Sequence, residues 1–352
     1  MARAVPAARG GKGARRWVEA GLLLGVGATV ASWQSVQRRD LRKIAADPSN
    51  AMLSDVLHGE EIDVVSADGT RLRAELFGPA DAPPLVLVHG WTCTRQFWTC
   101  QVHDLADRFR IVAFDLRGHG DSELPANGDY STDALADDVQ AVLEATVPEE
   151  AHPRALIAGH SLGAMSVVAW AGRHPEQVKR RVAGALLLNT GMDQLIDDAQ
   201  VVKLPASWKK ARSVVGDAFL TTSPPPNPGT PLSLRATRHV ALSPSASPAT
   251  VAFVDQMNAQ CPSKARVGFG RTLARIDVAA GLASLDVPTV VLGCERDKMT
   301  PPPHVERMAQ ALPQLAERVM LPSSGHMGPL EQPEAVDAAI ERLAASVALQ
   351  VA

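Results

Sequence analysis

Apolar and polar positions change their spacing along this chain, and the changes divide it into regions. From about Glu61, Ile62-Asp63-Val64-Val65 and Leu72-Arg73-Ala74-Glu75-Leu76 come close to strict alternation on either side of Asp68-Gly69. A spacing of two fits strands with one face covered, and Asp-Gly supplies the turn of a hairpin. The next run, Leu85-Val86-Leu87-Val88, is apolar at every position, and so in large part are Ile111 to Phe114, Ala155 to Ala158, Ala185 to Leu188 and Thr289 to Leu292; Val319 to Leu321 closes the series. Runs of this kind predict strands covered on both faces, as in a parallel sheet held between helices. Helical spacing fills the intervals: Gln96 to Asp107, Thr132 to Thr146, Leu162 to His174, His304 to Leu312 and Pro333 to Val347. The alternation predicts an α/β fold with a doubly wound, mostly parallel sheet.

Two stretches break this rhythm. Roughly 100 residues separate Leu188 from Thr289, far more than a crossover needs. Pro224-Pro225-Pro226-Asn227-Pro228-Gly229 marks a turn or linker inside that interval, and Val254, Met257, Val267 and Leu273 have helical spacing interrupted by Pro262. Residues 193–276 are therefore expected to form an inserted helical cap, with 61–192 and 277–352 as the core. The other exception is the amino-terminal segment, residues 1–47. Arg3, Arg9, Lys12, Arg15 and Arg16 precede an uncharged run from Ala20 to about Trp33, and Arg38, Arg39, Arg42 and Lys43 follow it. Tryptophans at both edges with basic flanks suit a segment held at a membrane surface. The run is shorter than the roughly 20 residues needed to span a bilayer. Three readings stay open: a membrane anchor or peripheral association, a cleaved secretory signal, and a helix packed on the domain. The corresponding locations are membrane-associated, secreted and cytoplasmic.

Composition narrows the function classes. The 352 residues are 46% hydrophobic and 21% charged, ordinary values for a globular enzyme. A formal charge of −3 and 4% aromatic residues argue against a nucleic-acid partner, which needs a basic face or stacking platforms. Cys93, Cys100, Cys261 and Cys294 show no C-x-x-C spacing and read as buried thiols.

The chemistry concentrates in loops that follow the apolar runs. Gly159-His160-Ser161-Leu162-Gly163 stands between a strand and an apolar helix. Glycines on both sides of the serine allow a sharp strand-to-helix turn that exposes its hydroxyl, and the helix N-terminus offers N–H groups to a developing oxyanion. A serine needs a base. His326 stands in Ser323-Ser324-Gly325-His326-Met327-Gly328, after the last strand. The base needs a carboxylate on its other nitrogen. Asp297, in the loop after Thr289 to Leu292, fills that role, with Asp193 in reserve. The backbone N–H groups of Trp91, in His89-Gly90-Trp91, and of Leu162 are assigned as the oxyanion hole. Trp91 is expected to face the pocket, while Phe97 and Trp98 line it or fill the core. His89, Arg117, His119 and Asp121 read as structural.

From about Glu61 onward the chain resembles the α/β-hydrolase superfamily. The resemblance rests on His89-Gly90-Trp91, the stretch Asp115-Leu116-Arg117-Gly118-His119-Gly120-Asp121-Ser122, the elbow at Ser161, the acid loop at Asp297 and the histidine loop at His326. The order serine, aspartate, histidine along the chain is the one this fold uses. The chain looks most like the esterase, lipase and peroxidase-like branch with a helical cap. Epoxide hydrolases and haloalkane dehalogenases carry aspartate at the elbow, so Ser161 argues against both. The resemblance implies hydrolysis of a small-molecule carboxylic ester through an acyl-enzyme, without cofactor or metal. The amino-terminal segment and the cap suggest a lipid-derived ester. Thioester, amide or carbon–carbon bond hydrolysis and a perhydrolase activity stay open with the same triad, as does a non-catalytic ligand-binding protein on this scaffold.

Overall fold

The structure is a computed structural model that describes residues 32–147, 154–201, 208–222 and 227–347. Among the described residues eight strands form a single sheet: β1 (Glu60–Val65), β2 (Arg71–Phe77), β3 (Pro84–Val88), β4 (Arg110–Phe114), β5 (Ala155–His160), β6 (Val182–Leu188), β7 (Thr289–Cys294) and β8 (Leu315–Leu321). Their order across the sheet is β1-β2-β4-β3-β5-β6-β7-β8. β1 and β2 are an antiparallel hairpin in which Glu60 faces Leu76 and Val65 faces Arg71. The turn runs through Asp68-Gly69, where Gly69 has φ +86°. β2 is also antiparallel to β4, and from β4 onward every pairing is parallel.

Every residue of β3, β5, β6 and β7 is buried, as continuous apolar runs require. Alternate side chains leave the sheet on opposite faces. Val86, Val88 and Ile157 join one core with helices α4 (Thr132–Thr146) and α5 (Leu162–Arg173) and with Val305 and Met308 of α12 (Pro303–Ala311). Leu85, Leu87, Leu156 and Ala158 join a second core with α3 (Thr99–Leu105) and α14 (Pro333–Ser346). The chain passes from β3 to β4 on one side and then crosses to β5 on the other. That reversal opens a crevice beyond the carboxyl ends of β3 and β5, where open α/β sheets bind ligands.

The structure revises several sequence-based boundaries. The helix expected over Gln96 to Asp107 is a 3-10 turn (Arg95–Trp98) followed by α3. β8 starts at Leu315 rather than Val319, because an edge strand admits exposed residues such as Glu317 that carry no apolar signal. β6 starts at Val182, directly after α6 (Pro175–Arg181), whose one buried residue is Val178.

Between β6 and β7 the described elements are the helices α7 (Leu195–Asp198), α8 (Lys209–Thr222), α9 (Pro231–Ala241), α10 (Pro248–Gln260) and α11 (Ser263–Leu273), followed by a 3-10 turn (Ala279–Ser284). Pro262 separates α10 from α11, since proline cannot supply the N–H that a continuous helix needs there. The buried Asp255 carboxylate joins α9 to α10, accepting from the Ser233 hydroxyl at 2.9 Å and the Thr237 hydroxyl at 2.7 Å.

At the amino end, residues 32–45 form helix α1, followed by α2 (Asn50–Ser54). Most of the uncharged run from Ala20 to Trp33 lies outside the described residues. Among those that are described, no helix is long and apolar enough to cross a membrane.

Candidate active site

Ser161 stands between β5 and α5 with φ +52° and ψ −118°, a backbone conformation that costs about 1–3 kcal/mol for a residue with a side chain. The surroundings hold it there. Its amide N–H donates to the Leu188 carbonyl at 3.0 Å, and its carbonyl accepts from the Thr190 hydroxyl at 2.9 Å. The flanking glycines are needed for packing. A Cβ on Gly163 would lie 2.2 Å from the Val88 carbonyl oxygen, and one on Gly159 would lie 2.5 Å from Ala164 Cα. The small residues let α5 start directly against the end of β3. Leu162 opens α5, so its N–H is among those a first turn leaves without an intrahelical acceptor.

His326 follows β8. Its Nδ1–H donates to Asp297 Oδ2 at 2.8 Å, and both side chains are buried. The Asp297 carboxylate accepts four further hydrogen bonds. Oδ1 takes the Met299 and Thr300 amides, each at 2.9 Å; Oδ2 takes the Thr300 hydroxyl at 2.8 Å and the Asn189 amide at 3.1 Å. Burial pushes this carboxyl up, but His326 and the Thr300 donors outweigh it and leave the group below its ordinary value. An ionised carboxylate is therefore held against Nδ1 of the His326 ring.

The histidine backbone is fixed as well. His326 N–H donates to the Ala241 carbonyl at the end of α9, which ties the loop to the cap. The His326 carbonyl accepts from His160 Nε2 at 2.8 Å, and the His160 ring stacks on Phe97 with centroids 4.4 Å apart. Burial lowers the His160 pKa to about 3, so its ring is neutral.

The loop after β3 is locked by two more neutral histidines. His89 Nε2 accepts the Leu116 amide at 3.0 Å and its Nδ1–H donates to the Gly90 carbonyl at 2.8 Å. His119 Nε2 accepts the Thr92 amide at 3.1 Å. Burial lowers the pKa of His89 to about 4 and of His119 to about 3. Gly90 packs beside Ser161, where an added Cβ would come within 3.1 Å of the serine Cβ. The Trp91 backbone is thereby brought to the elbow, while its indole N–H reaches the Arg266 carbonyl in the cap at 3.2 Å.

Ser161, His326, Trp91 and Thr300 line one cavity of about 380 Å³. Its floor is the carboxyl end of the sheet, and its apolar walls include Met165, Leu195, Val215, Leu220, Val254 and Leu273, mostly from the cap. Phe97 and Trp98 are fully buried in the core beneath α3. Asp193, the reserve acid, lies beside Arg307 at 3.5 Å, whereas Asp297 holds the histidine. Arg117 is buried against Asp138 and Asp68, and Asp121 pairs with Arg95 at 2.9 Å. Cys93 lies at the cavity wall with its thiol pushed up to about 12 by burial, and Cys294 is buried beside Asn189.

A sequence model described as the alpha/beta hydrolase fold matches residues 83–333. The chain belongs to that family. A bifunctional esterase/perhydrolase of Acinetobacter calcoaceticus is 35% identical over 127 residues, which are 36% of this chain and 43% of that enzyme. The 3-oxoadipate enol-lactonase 2 of Acinetobacter baylyi is 23% identical over 282 residues, 79% of this chain and 95% of the relative. Among solved structures, a thermophilic esterase from Thermogutta terrifontis is 25% identical, with a TM-score of 0.64 over 82% of this chain and 98% of that one. The family and these relatives support a hydrolase.

This α/β hydrolase also holds site residues that the motifs did not name. Thr300 was readable in principle, since Asp-x-x-Thr is a local capping pattern. Asn189 had no such signal: it follows β6 and meets Asp297 across 108 positions.

Proposed function

We propose that this α/β hydrolase is a serine hydrolase of small-molecule carboxylic esters. Ser161 is the nucleophile, His326 its base and Asp297 the carboxylate that orients the base. The observation that carries the reading is the Asp297–His326 hydrogen bond of 2.8 Å, beside a serine held at φ +52° on the same cavity. With Nδ1–H committed to the carboxylate, Nε2 is the lone-pair nitrogen available to take a proton.

In this mechanism the Ser161 oxygen attacks the ester carbonyl carbon as His326 Nε2 takes the hydroxyl proton. The carbonyl oxygen becomes an oxyanion held by the N–H groups of Trp91 and Leu162. The C–O bond to the alcohol then breaks, and the imidazolium gives its proton to the leaving oxygen. Water, deprotonated by His326, attacks the acyl-serine and releases the acid. Asp297 stays ionised throughout, which suits a carboxyl held below its ordinary value. Most of the cavity wall comes from apolar cap side chains, so the cap would select the acyl or alcohol group and exclude water.

The test is turnover of p-nitrophenyl esters of graded acyl length by wild-type protein and Ser161→Ala, together with labelling by a fluorophosphonate. Clear hydrolysis that falls by about 10⁴-fold or more in Ser161→Ala, with labelling lost, is the expected result. Unchanged labelling in the variant would remove Ser161 from the mechanism.

A further inference from the structure

Among the described residues three arginines are buried, and two of them are surrounded by carboxylates. Arg95 pairs with Glu75, Asp115 and Asp121. Arg117 forms a two-point contact with Asp138, at 2.7 and 2.6 Å, and reaches Asp68 at 2.9 Å. Carboxylates hold both cations well above the usual arginine range against the opposing effect of burial.

Arg266 differs. It is 93% buried on α11, and it lines the cavity that contains Ser161 and His326. Its partners among the described residues are neutral: Nη1 donates to Asn258 Oδ1 at 2.7 Å, and Nη2 donates to the Asn258 carbonyl. Nε is buried without a partner. No aspartate or glutamate lines the cavity among the described residues, so the wall carries this one arginine and no carboxylate. Burial draws the guanidinium below its ordinary value; the Cys261 thiol opposes the fall, and no carboxylate does.

An arginine has five N–H donors, and two here go to Asn258. Removing a cation from water without a counter-ion is costly, and the other two buried arginines among the described residues each have carboxylate partners. Arg266 is also fixed in position. Asn258 on α10 holds the guanidinium, and the Trp91 indole holds the Arg266 carbonyl against the loop beside Ser161. The open donors of a planar guanidinium match a carboxylate in a two-point contact.

We propose that the cavity takes a substrate bearing a carboxylate, with Arg266 as its counter-ion at the cap side and the ester at Ser161. This specifies the substrate class and rests on the serine-hydrolase reading. Selectivity would then come from an ion pair in an otherwise apolar chamber. A neutral ester of the same length leaves the cation unpaired, whereas the acid completes the set that Arg95 and Arg117 already have.

The experiment compares the mono-p-nitrophenyl ester of pimelic acid with its methyl-capped, neutral counterpart. Wild-type protein, Arg266→Met and Arg266→Lys are assayed on both. Wild type should favour the acid in kcat/KM. The acid-to-neutral ratio should fall by about 10- to 100-fold in Arg266→Met, largely through KM, and less in Arg266→Lys, which keeps charge but loses the planar fork. Equal ratios in all three proteins would overturn the proposal and leave the serine mechanism untouched.

A binding measurement separates the two ideas. In folded Ser161→Ala protein, pimelate should raise the melting temperature more than neutral pimelamide does, and Arg266→Met should remove that difference. If wild type hydrolyses neither ester while this difference is present, the anion site stands and the serine mechanism fails. If pimelate and pimelamide are equivalent in protein that still carries Arg266, the anion site fails. That last comparison holds even where the Met and Lys variants do not fold.

Discussion

Thr300 stands three residues beyond Asp297 and gives its carboxylate both a backbone and a side-chain donor, each at about 2.9 Å or less. The two bonds act on different oxygens. The amide holds Oδ1, while the hydroxyl holds Oδ2, the oxygen that accepts from His326. Thr300→Val removes the second bond and keeps the first. A hydrogen bond to a charged group contributes about 1.5–3 kcal/mol, so kcat on a p-nitrophenyl ester should fall by about 10-fold or more with KM little changed. Thr300→Ser should restore most of the loss, because it returns the hydroxyl. Equal activity in the Val variant would mean that Asn189 and the backbone amides hold the carboxylate without help. The same residue scale separates what was legible from what was not. Ser161, Asp297 and His326 each lie in a short run of distinctive residues after a strand, so local pattern was enough to bring them forward as candidates. Asn189 and Arg266 act through contacts between distant parts of the chain, and an asparagine or arginine in an ordinary helix or loop gives no local signal of that.

Elements buried on both faces were the easiest to read. The all-apolar runs of β3, β5 and β7 leave no other pattern available, while the part of β8 before Val319 and the short helix α6 carry too few buried positions to be recognised. The contact between α3 and α14 raises a different question, because it buries Asp337 near Cys100 and Gln101. Burial pushes the Asp337 carboxyl up to about 7; Gln101 opposes the rise, and the negative charges of Asp104 and Glu334 add to it. In the unfolded chain the same group releases its proton near pH 4. Between about pH 4 and 7 the folded protein therefore holds more protons here than the unfolded one. On that sign, this group removes stability as pH rises through the window and makes no further change above it. In thermal melts, Asp337→Asn should gain on wild type steadily from about pH 4 to 7 and then keep a constant advantage. A difference independent of pH would mean that the carboxyl ionises normally, by drawing water into the helix contact.

At the scale of the whole molecule, the amino-terminal helix meets the hydrolase domain at the cap. Residues 32–45 form a helix whose Arg38, Arg39, Arg42 and Lys43 are exposed, as are Trp33 and Leu41 at 47% and 49%. Asp40 pairs with Arg235 of the cap at 3.2 Å, and Asp47 accepts the Ala249 amide at 3.0 Å, so this end of the chain is tied to the cap. Basic residues at a membrane surface each contribute about 1 kcal/mol on anionic lipid, and exposed tryptophan favours the interface. The segment before residue 32 adds five more cations and most of an uncharged run. We propose that this end holds the enzyme at an anionic membrane, with the cap next to the lipid. Full-length protein should float with vesicles containing phosphatidylserine, whereas a chain beginning at Asp47 should stay in the aqueous fraction with its ester hydrolysis intact. High salt should release the full-length protein if the cations dominate, and only detergent should release it if the apolar run inserts. Full-length protein that ignores vesicles would leave the segment as a helix packed on the domain, and a purified protein whose mass lacks the first residues would identify it as a cleaved leader.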